Sequence, residues 1–159
     1  MKYPCFEELP VWQDAIELAV QIFDLPSRPE FKGYYSLKDQ LERAGVSVSN
    51  NIAEGFERGS TQETLTFLYI SKGSSGEVRS LTYLLERLPS FQSLLSRTSD
   101  IRERSKDISR QLSGWAASLQ NTDIKGQRYL TDRSRRLEEA KKDRLERQKE
   151  WEQYGYKGK

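Results

Sequence analysis

The sequence predicts an all-α fold: an antiparallel up-down-up-down four-helix bundle, followed by a charged C-terminal tail that is helical or disordered. Three observations carry this. Four segments place apolar residues in alternating steps of three and four, the spacing of one helix face. Sustained period-two alternation and Asn-Gly or Asp-Gly hairpin dipeptides are missing, so strands have no signal. The connections after the second and third segments are short, which makes those neighbours antiparallel, and steps averaging 3.5 suit left-handed bundle packing. The expected organisation is a bundle over residues 1–120 and a charged extension over 121–159.

The first helix is expected from about Leu9 to Leu25, with Leu9, Trp12, Ile16, Ala19 and Phe23 on its apolar face. Pro26 and Pro29 end it, because proline cannot continue a helix interior. The second runs from about Ser36 to Glu54, with Leu37, Leu41, Ala44, Val48 and Ile52 in line, and Gly55 and Gly59 bracketing its end as C-terminal glycines do. The third begins at Ser60, an N-cap whose partner in a capping box is Glu63. Its line is Phe67, Ser71, Ser74, Val78, Leu81, Leu85 and Leu88, and Pro89 stops it. The fourth runs from about Phe91 to Leu119 on Leu94, Thr98, Ile101, Ser105, Ile108, Leu112, Trp115 and Leu119. Trp12, Phe23, Phe67 and Trp115 are expected in the core. Val11, Leu18, Ile22, Leu65, Tyr69 and Leu84 fall off these lines and read as surplus apolar surface for an oligomer interface.

Composition excludes several chemistries. The 159 residues include no histidine and one cysteine, Cys5. A Ser-His-Asp or Cys-His nucleophilic site cannot be built, and an internal disulfide is impossible. The usual zinc and non-haem iron ligands are also missing. The expectation is a protein that is not an enzyme and needs no cofactor or metal. Mean hydropathy is -0.82, no apolar run approaches the roughly 20 residues of a bilayer span, and the N-terminus lacks a signal-peptide h-region. A cytoplasmic location away from membranes is expected. Net charge is +2, unevenly placed. Residues 1–120 hold 14 basic and 16 acidic side chains, and residues 121–159 hold 12 and 8.

The stretch SVSNNIAEGFERGSTQETLTFLYISKGSSGEVRSLTYLLERL, Ser47 to Leu88, holds the candidate site residues. Polar and tiny residues inside helical segments weaken a helix, so they point to close helix contact or a fixed polar network. Asn51, Glu54, Gly55, Ser74 and Glu77 are read as a structural motif; a carboxylate metal site would normally bring histidines as well. Gly73, Ser74, Ser75 and Gly76 lack the preceding strand and the Gly-Lys-Ser/Thr of a phosphate loop, and read instead as a place where another helix comes close. Arg43, Arg58, Lys72 and Arg79 are candidate nucleic-acid contacts on the second and third helices. Arg97, Arg102, Arg104, Lys106 and Arg110 crowd the fourth among acids. Arg133, Arg135 and Arg136 head the densest basic group, in the tail, where Trp151, Tyr154 and Tyr156 are candidate anchors for a partner.

The segments FEELPVWQDAIELA, YYSLKDQLERAGVSVSNNIAEG and ERGSTQETLTFLYISKGSSGEVRSL closely resemble a four-helix bundle family. It comprises the proteins encoded in intervening sequences of bacterial large-subunit rRNA genes and the accessory variability proteins of diversity-generating retroelements. The resemblance covers about residues 6 to 119, and NIAEG together with Gly73, Ser74 and Glu77, in order and at this spacing, are its most specific parts. It implies a ring-like homopentamer without catalytic activity. For the retroelement branch it also implies binding to a reverse transcriptase and to RNA or DNA. The near-neutral body departs from the basic surface a nucleic-acid-binding ring would carry. A non-enzymatic oligomeric scaffold for nucleic acid, for a nucleic-acid enzyme, or for both is the first functional expectation; a protein-interaction module without nucleic-acid contact is the second.

Overall fold

The structure, a computed structural model, describes residues 3–121 and, further on, Ala140, Asp143, Arg144, Glu146, Arg147 and Lys149. The chain divides at Lys125/Gly126 into two units. In the first, four α-helices follow one another: α1 (Pro10–Asp24), α2 (Tyr35–Glu57), α3 (Thr61–Arg87) and α4 (Leu95–Gln120). No strand occurs among the described residues. Each helix packs on two neighbours, α1 on α2 and α4, and α3 on α2 and α4, which is the square arrangement of a four-helix bundle.

Cross-helix contacts fix the directions. Between α2 and α3, Gly55 pairs with Thr64 and Val48 with Ser71, numbers rising on one helix as they fall on the other. Between α3 and α4, Ser75 meets Ser105 and Glu86 meets Thr98. Between α1 and α4, Asp14 meets Gln111 and Asp24 meets Arg97. All three pairs are antiparallel, so α1 and α2 are too. The expected up-down-up-down bundle is the observed one.

The helix ends follow local chemistry. Pro10 opens α1, at the position where a missing N–H costs nothing. Ser60 caps α3: its Oγ accepts from the Glu63 amide at 3.1 Å and donates to Glu63 Oε2 at 2.7 Å. Pro89 opens a 3-10 turn, Pro89–Leu94, so α4 starts at Leu95 rather than at Phe91. Phe91 from that turn, with Phe31 and Tyr34 from the α1–α2 connection, plugs one end of the bundle by edge-on ring contacts at 4.7 and 5.0 Å. Gly33, at φ 89°, makes the turn into α2, a conformation that a Cβ disfavours.

The core is built from the lines expected for α2 and α4. Leu41, Ala44, Val48 and Ile52 are buried, as are Leu94, Thr98, Ile101, Ser105, Ile108 and Leu112. The line expected for α1 is corrected in part. Leu9 and Ala19 are buried as expected, but Val11, Ala15, Leu18 and Ile22 also face inward, whereas Phe23 is 50% exposed, Ile16 is half-buried and Trp12 lies at the margin against Phe6. Both lines of α1 are apolar, and packing chose between them: Ile22 seats over Gly45 of α2, where an added Cβ would lie 2.8 Å from its Cδ1. Val11, Leu18, Ile22 and Leu65 are therefore core, not surplus surface. Among the described residues, the exposed large apolar ones are Val20, Phe23, Tyr35, Tyr69, Ile70, Tyr83, Leu84 and Leu95.

Small hydroxyl side chains join α3 to its neighbours. Ser71 Oγ donates to the Val48 carbonyl at 2.8 Å. Ser75 and Ser105, both fully buried, each donate to the other's carbonyl at 2.8 Å, with their hydroxyls 2.9 Å apart. A buried hydroxyl is costly unless paired. These are paired to backbone across the interface, which ties helix register to a few specific positions.

Candidate nucleic-acid interface

The NIAEG segment forms the last turns of α2, and its residues divide between two contacts. Asn51 Nδ2 donates to the Ser47 carbonyl at 2.7 Å and to Ser47 Oγ at 3.0 Å. Ser47 Oγ lies 2.8 Å from Ser74 Oγ on α3. Asn51 and Ser74 thus belong to one polar bridge across the α2–α3 seam. Glu54 faces outward and pairs with Arg58. Arg58 also lies 3.9 Å from Glu63 and stacks on Phe67 at 5.0 Å. Gly55 is inside α2, not beyond its end: the helix continues to Glu57. Its missing side chain admits Phe67, whose Cβ would lie 2.8 Å from an added Cβ. Glu77 is exposed and makes no hydrogen bond or ion pair with a described residue. It does not join Asn51 and Glu54.

The glycines of GSSG do less than the spacing implied. Nothing lies within 4 Å of a Cβ added at Gly73, and only the Arg79 guanidinium approaches one at Gly76. The close helix contact falls instead on Ser71 and Ser75 and, from α2, on Gly45 and Gly55.

The four candidate cations of the bundle separate into different environments. Arg43 is exposed, 3.7 Å from Asp39, and lines an open groove of ≈ 480 Å³ with Glu42, Glu54 and Phe23. Three carboxylates around one guanidinium make that groove unfavourable to a polyanion. Arg58 is held by Glu54, whose hydrogen bond raises its pKa above the ordinary value. Lys72 and Arg79 differ. Both are half-buried on α3 and have no acidic partner among the described residues.

Lys72 and Arg79 lie on a line the sequence reading did not assemble: Tyr69, Lys72, Gly76, Arg79, Tyr83. Its steps of 3, 4, 3 and 4 keep it on one side of α3, along the outer edge of the contact with α4. Two contacts place it there. Gln120 Nε2 donates to Tyr69 Oη at 3.1 Å, and the Arg102 guanidinium lies over the Tyr83 ring at 4.7 Å. Arg87 extends the line, 5.8 Å from the same ring. Across the seam, Arg102 is only 13% exposed and is paired with Glu86, whose hydrogen bond raises its pKa. Thr98 Oγ1 also donates to Glu86, at 3.3 Å. Lys106, the next cation on that side of α4, pairs with Glu103 at 2.7 Å. Among the described residues the seam's acids are thus already matched, and Lys72, Arg79 and Arg87 have no acidic partner, although Arg87 Nη1 donates to the Tyr83 carbonyl at 2.8 Å. Glu77 points about 140–160° round the helix from Lys72 and Arg79. The step pattern of 69, 72, 76, 79 and 83 could have revealed this line from the sequence.

A family profile described as "23S rRNA-intervening sequence protein" matches residues 7–114. The chain belongs to that family. A search of curated proteins returned no match. The family match takes in α1, α2 and α3 entire and most of α4, so the polar bridge and the Tyr69–Tyr83 line lie within it, while Gln120 lies beyond it. Arg133, Arg135, Arg136, Trp151, Tyr154 and Tyr156 lie beyond it and outside the described residues. In the second unit the described residues are helical and exposed, and Arg147 Nε donates to the Asp143 carbonyl at 3.2 Å. No group of three or more Cys, Asp or Glu among the described residues is arranged to hold a metal, and no described helix is long and apolar enough to cross a membrane.

Proposed function

We propose that this member of the family is a non-enzymatic helical scaffold that binds nucleic acid along the outer α3–α4 seam. The observation that supports this best is the placement of Lys72 and Arg79 on one line, half-buried, without an acidic partner among the described residues. Nucleic-acid affinity comes largely from phosphate neutralisation, and neighbouring carboxylates compete for a cation. By that criterion Arg43 and Arg58 are already occupied, and the near-neutral charge of the bundle matters less than where its unmatched charges sit. The family description, which ties these proteins to rRNA, is loosely consistent with the reading. The absence of histidine from the chain supports a role without catalysis.

The scaffold acts as a cytoplasmic homo-oligomer, and the resemblance to retroelement accessory proteins makes a pentamer its expected form and a reverse transcriptase a candidate partner. Ile70 and Leu84, each 46% exposed, lie on the side of α3 away from the α4 seam and support a protein contact there. They also support a second reading, a protein-interaction module that touches no nucleic acid. Fluorescence anisotropy of a labelled RNA separates the two. Binding that weakens steeply with salt, and whose log–log salt slope falls by roughly 0.7 to 0.9 per cation removed in Lys72→Ala and Arg79→Ala, supports the first. No binding at low salt overturns it. Light scattering that reports a monomer at micromolar concentration would remove the oligomer from the proposal.

A further inference from the structure

The line that carries the unmatched cations also carries two large exposed aromatics, and their combination narrows the ligand. Tyr69 is 49% and Tyr83 43% exposed. They stand 14 residues apart, about 21 Å along α3, with Lys72 and Arg79 between them. Neither ring is loosely held. Tyr69 accepts a hydrogen bond from Gln120. Tyr83 has the Arg102 guanidinium over it at 4.7 Å, itself fixed by Glu86, and Arg87 at 5.8 Å, and the 43% of its surface left exposed is what a base would meet. Between the two cations Gly76 has no side chain, and the Arg79 guanidinium lies 3.6 Å from where its Cβ would be.

We infer that this seam takes a single-stranded nucleic acid, its phosphates on Lys72 and Arg79 and its unstacked bases on Tyr69 and Tyr83. The inference rests on the function proposed above and adds the form of the ligand. A duplex hides its base faces in its own stack and would meet the seam with sugar and phosphate alone. The tyrosine rings would then have no base face to stack on. A single strand can follow the seam and present base faces to the rings. Stacking of a base on an aromatic ring is tolerant of sequence, and the combination of a cationic track with aromatic platforms is the general means of holding single strands. Arg87, near Tyr83, is placed to take the next phosphate.

The test uses the full chain and four labelled probes of about 20 nucleotides: oligo-rU, oligo-dT, and the RNA and DNA duplexes of the same length. Affinities are read by anisotropy at several salt concentrations. The expected result is tighter binding of either single strand than of either duplex. Tyr69→Ala and Tyr83→Ala should each weaken single-strand binding by about five- to a hundredfold while leaving the salt slope unchanged. Tyr69→Phe and Tyr83→Phe should retain the affinity, since the ring is what stacks; their retention separates stacking from misfolding. Lys72→Ala and Arg79→Ala should lower the salt slope. Equal binding of duplex and single strand, or tyrosine-to-alanine variants of unchanged affinity, overturns this inference alone. Failure of all four probes to bind at low salt overturns it together with the nucleic-acid function.

Discussion

Helix α3 has two sides that use polar residues in opposite ways. On the inner side Ser71 and Ser75 give their hydroxyls to backbone carbonyls of α2 and α4 at 2.8 Å, and Ser74 closes the bridge to Ser47. Every polar group there is matched. On the outer side Lys72 and Arg79, one and four residues further along from Ser71 and Ser75, carry full charges with no acid beside them among the described residues. Both sides carry polar residues at helical spacing. What differs is whether the fold itself supplies the partner. A polar side chain whose partner comes from the fold specifies register; one whose partner does not is available to a ligand.

The largest stability effect should come from the inner side. Ser75→Leu forces a branched side chain into a fully buried position facing Ser105, and removes the hydroxyl that satisfies it. Overpacking of this kind costs about 1–3 kcal/mol. The paired outer-side variant, Lys72→Ala with Arg79→Ala, should leave the unfolding midpoint in urea unchanged and reduce nucleic-acid binding. If the outer pair destabilises the bundle as much as Ser75→Leu does, the distinction between the two sides is lost.

Two glycines sharpen the same contrast with opposite signs. Gly55→Ala places a methyl 2.8 Å from Phe67 Cβ and 3.3 Å from the Thr64 carbonyl. Neither atom is the far end of a flexible chain, so the substitution should destabilise, by about 1–2 kcal/mol net of the helix propensity that alanine adds. Gly73→Ala meets nothing within 4 Å and should stabilise by about 0.5–1 kcal/mol. Thermal melts of both variants decide. A Gly73→Ala variant that gains monomer stability while losing oligomer mass would assign Gly73 to a contact between copies.

These residues also show how far the sequence could be read. The lines of α2 and α4 were legible because each helix has a single apolar face, and Ser60 with Glu63 marks its own N-cap. The line of α1 was not: Trp12, Ile16 and Phe23 compete with Val11, Ala15, Leu18 and Ile22, and the cleft at Gly45 that takes Ile22 lies on another helix. Gly55 resembled a helix stop because its role depends on Phe67, twelve residues away on another helix. The seam was missed for a different reason. Lys72 and Arg79 were recognised as cations, but their lack of counter-ions depends on where Glu77, Glu86 and Glu103 point, and charge counts along the chain do not carry that information.

Asn51 and Glu54 provide a smaller test within one motif. Asn51→Ala removes two donations to Ser47 in a half-buried bridge and should cost about 1 kcal/mol. Glu54→Ala removes one partner of an ion pair whose side chains are 45% and 47% exposed, and should leave thermal stability unchanged, because exposed pairs contribute little. Equal losses would mean that Glu54 belongs to the bridge after all.

The smallest expected effect concerns charges that the fold does match, at the surface. Asp24 at the end of α1 accepts from Arg28 and from Arg97 of α4, and those hydrogen bonds hold its pKa below the ordinary carboxylate value. Glu103 is lowered in the same direction by Lys106, and Glu30 by Ser93. A carboxylate with a depressed folded-state pKa stabilises above its unfolded pKa, about 3.9 for Asp, and loses that contribution as pH falls through the folded value. Wild type should therefore be slightly more stable than Asp24→Asn at pH 7 and pH 5, with the gap closing below about pH 4. Thermal melts of the two proteins from pH 7 to pH 3 measure it. A gap that stays constant across that range would mean that Asp24 acts through packing rather than charge. The latch between α1 and α4 would then resemble the hydroxyl bridges of the inner side more than a surface ion pair.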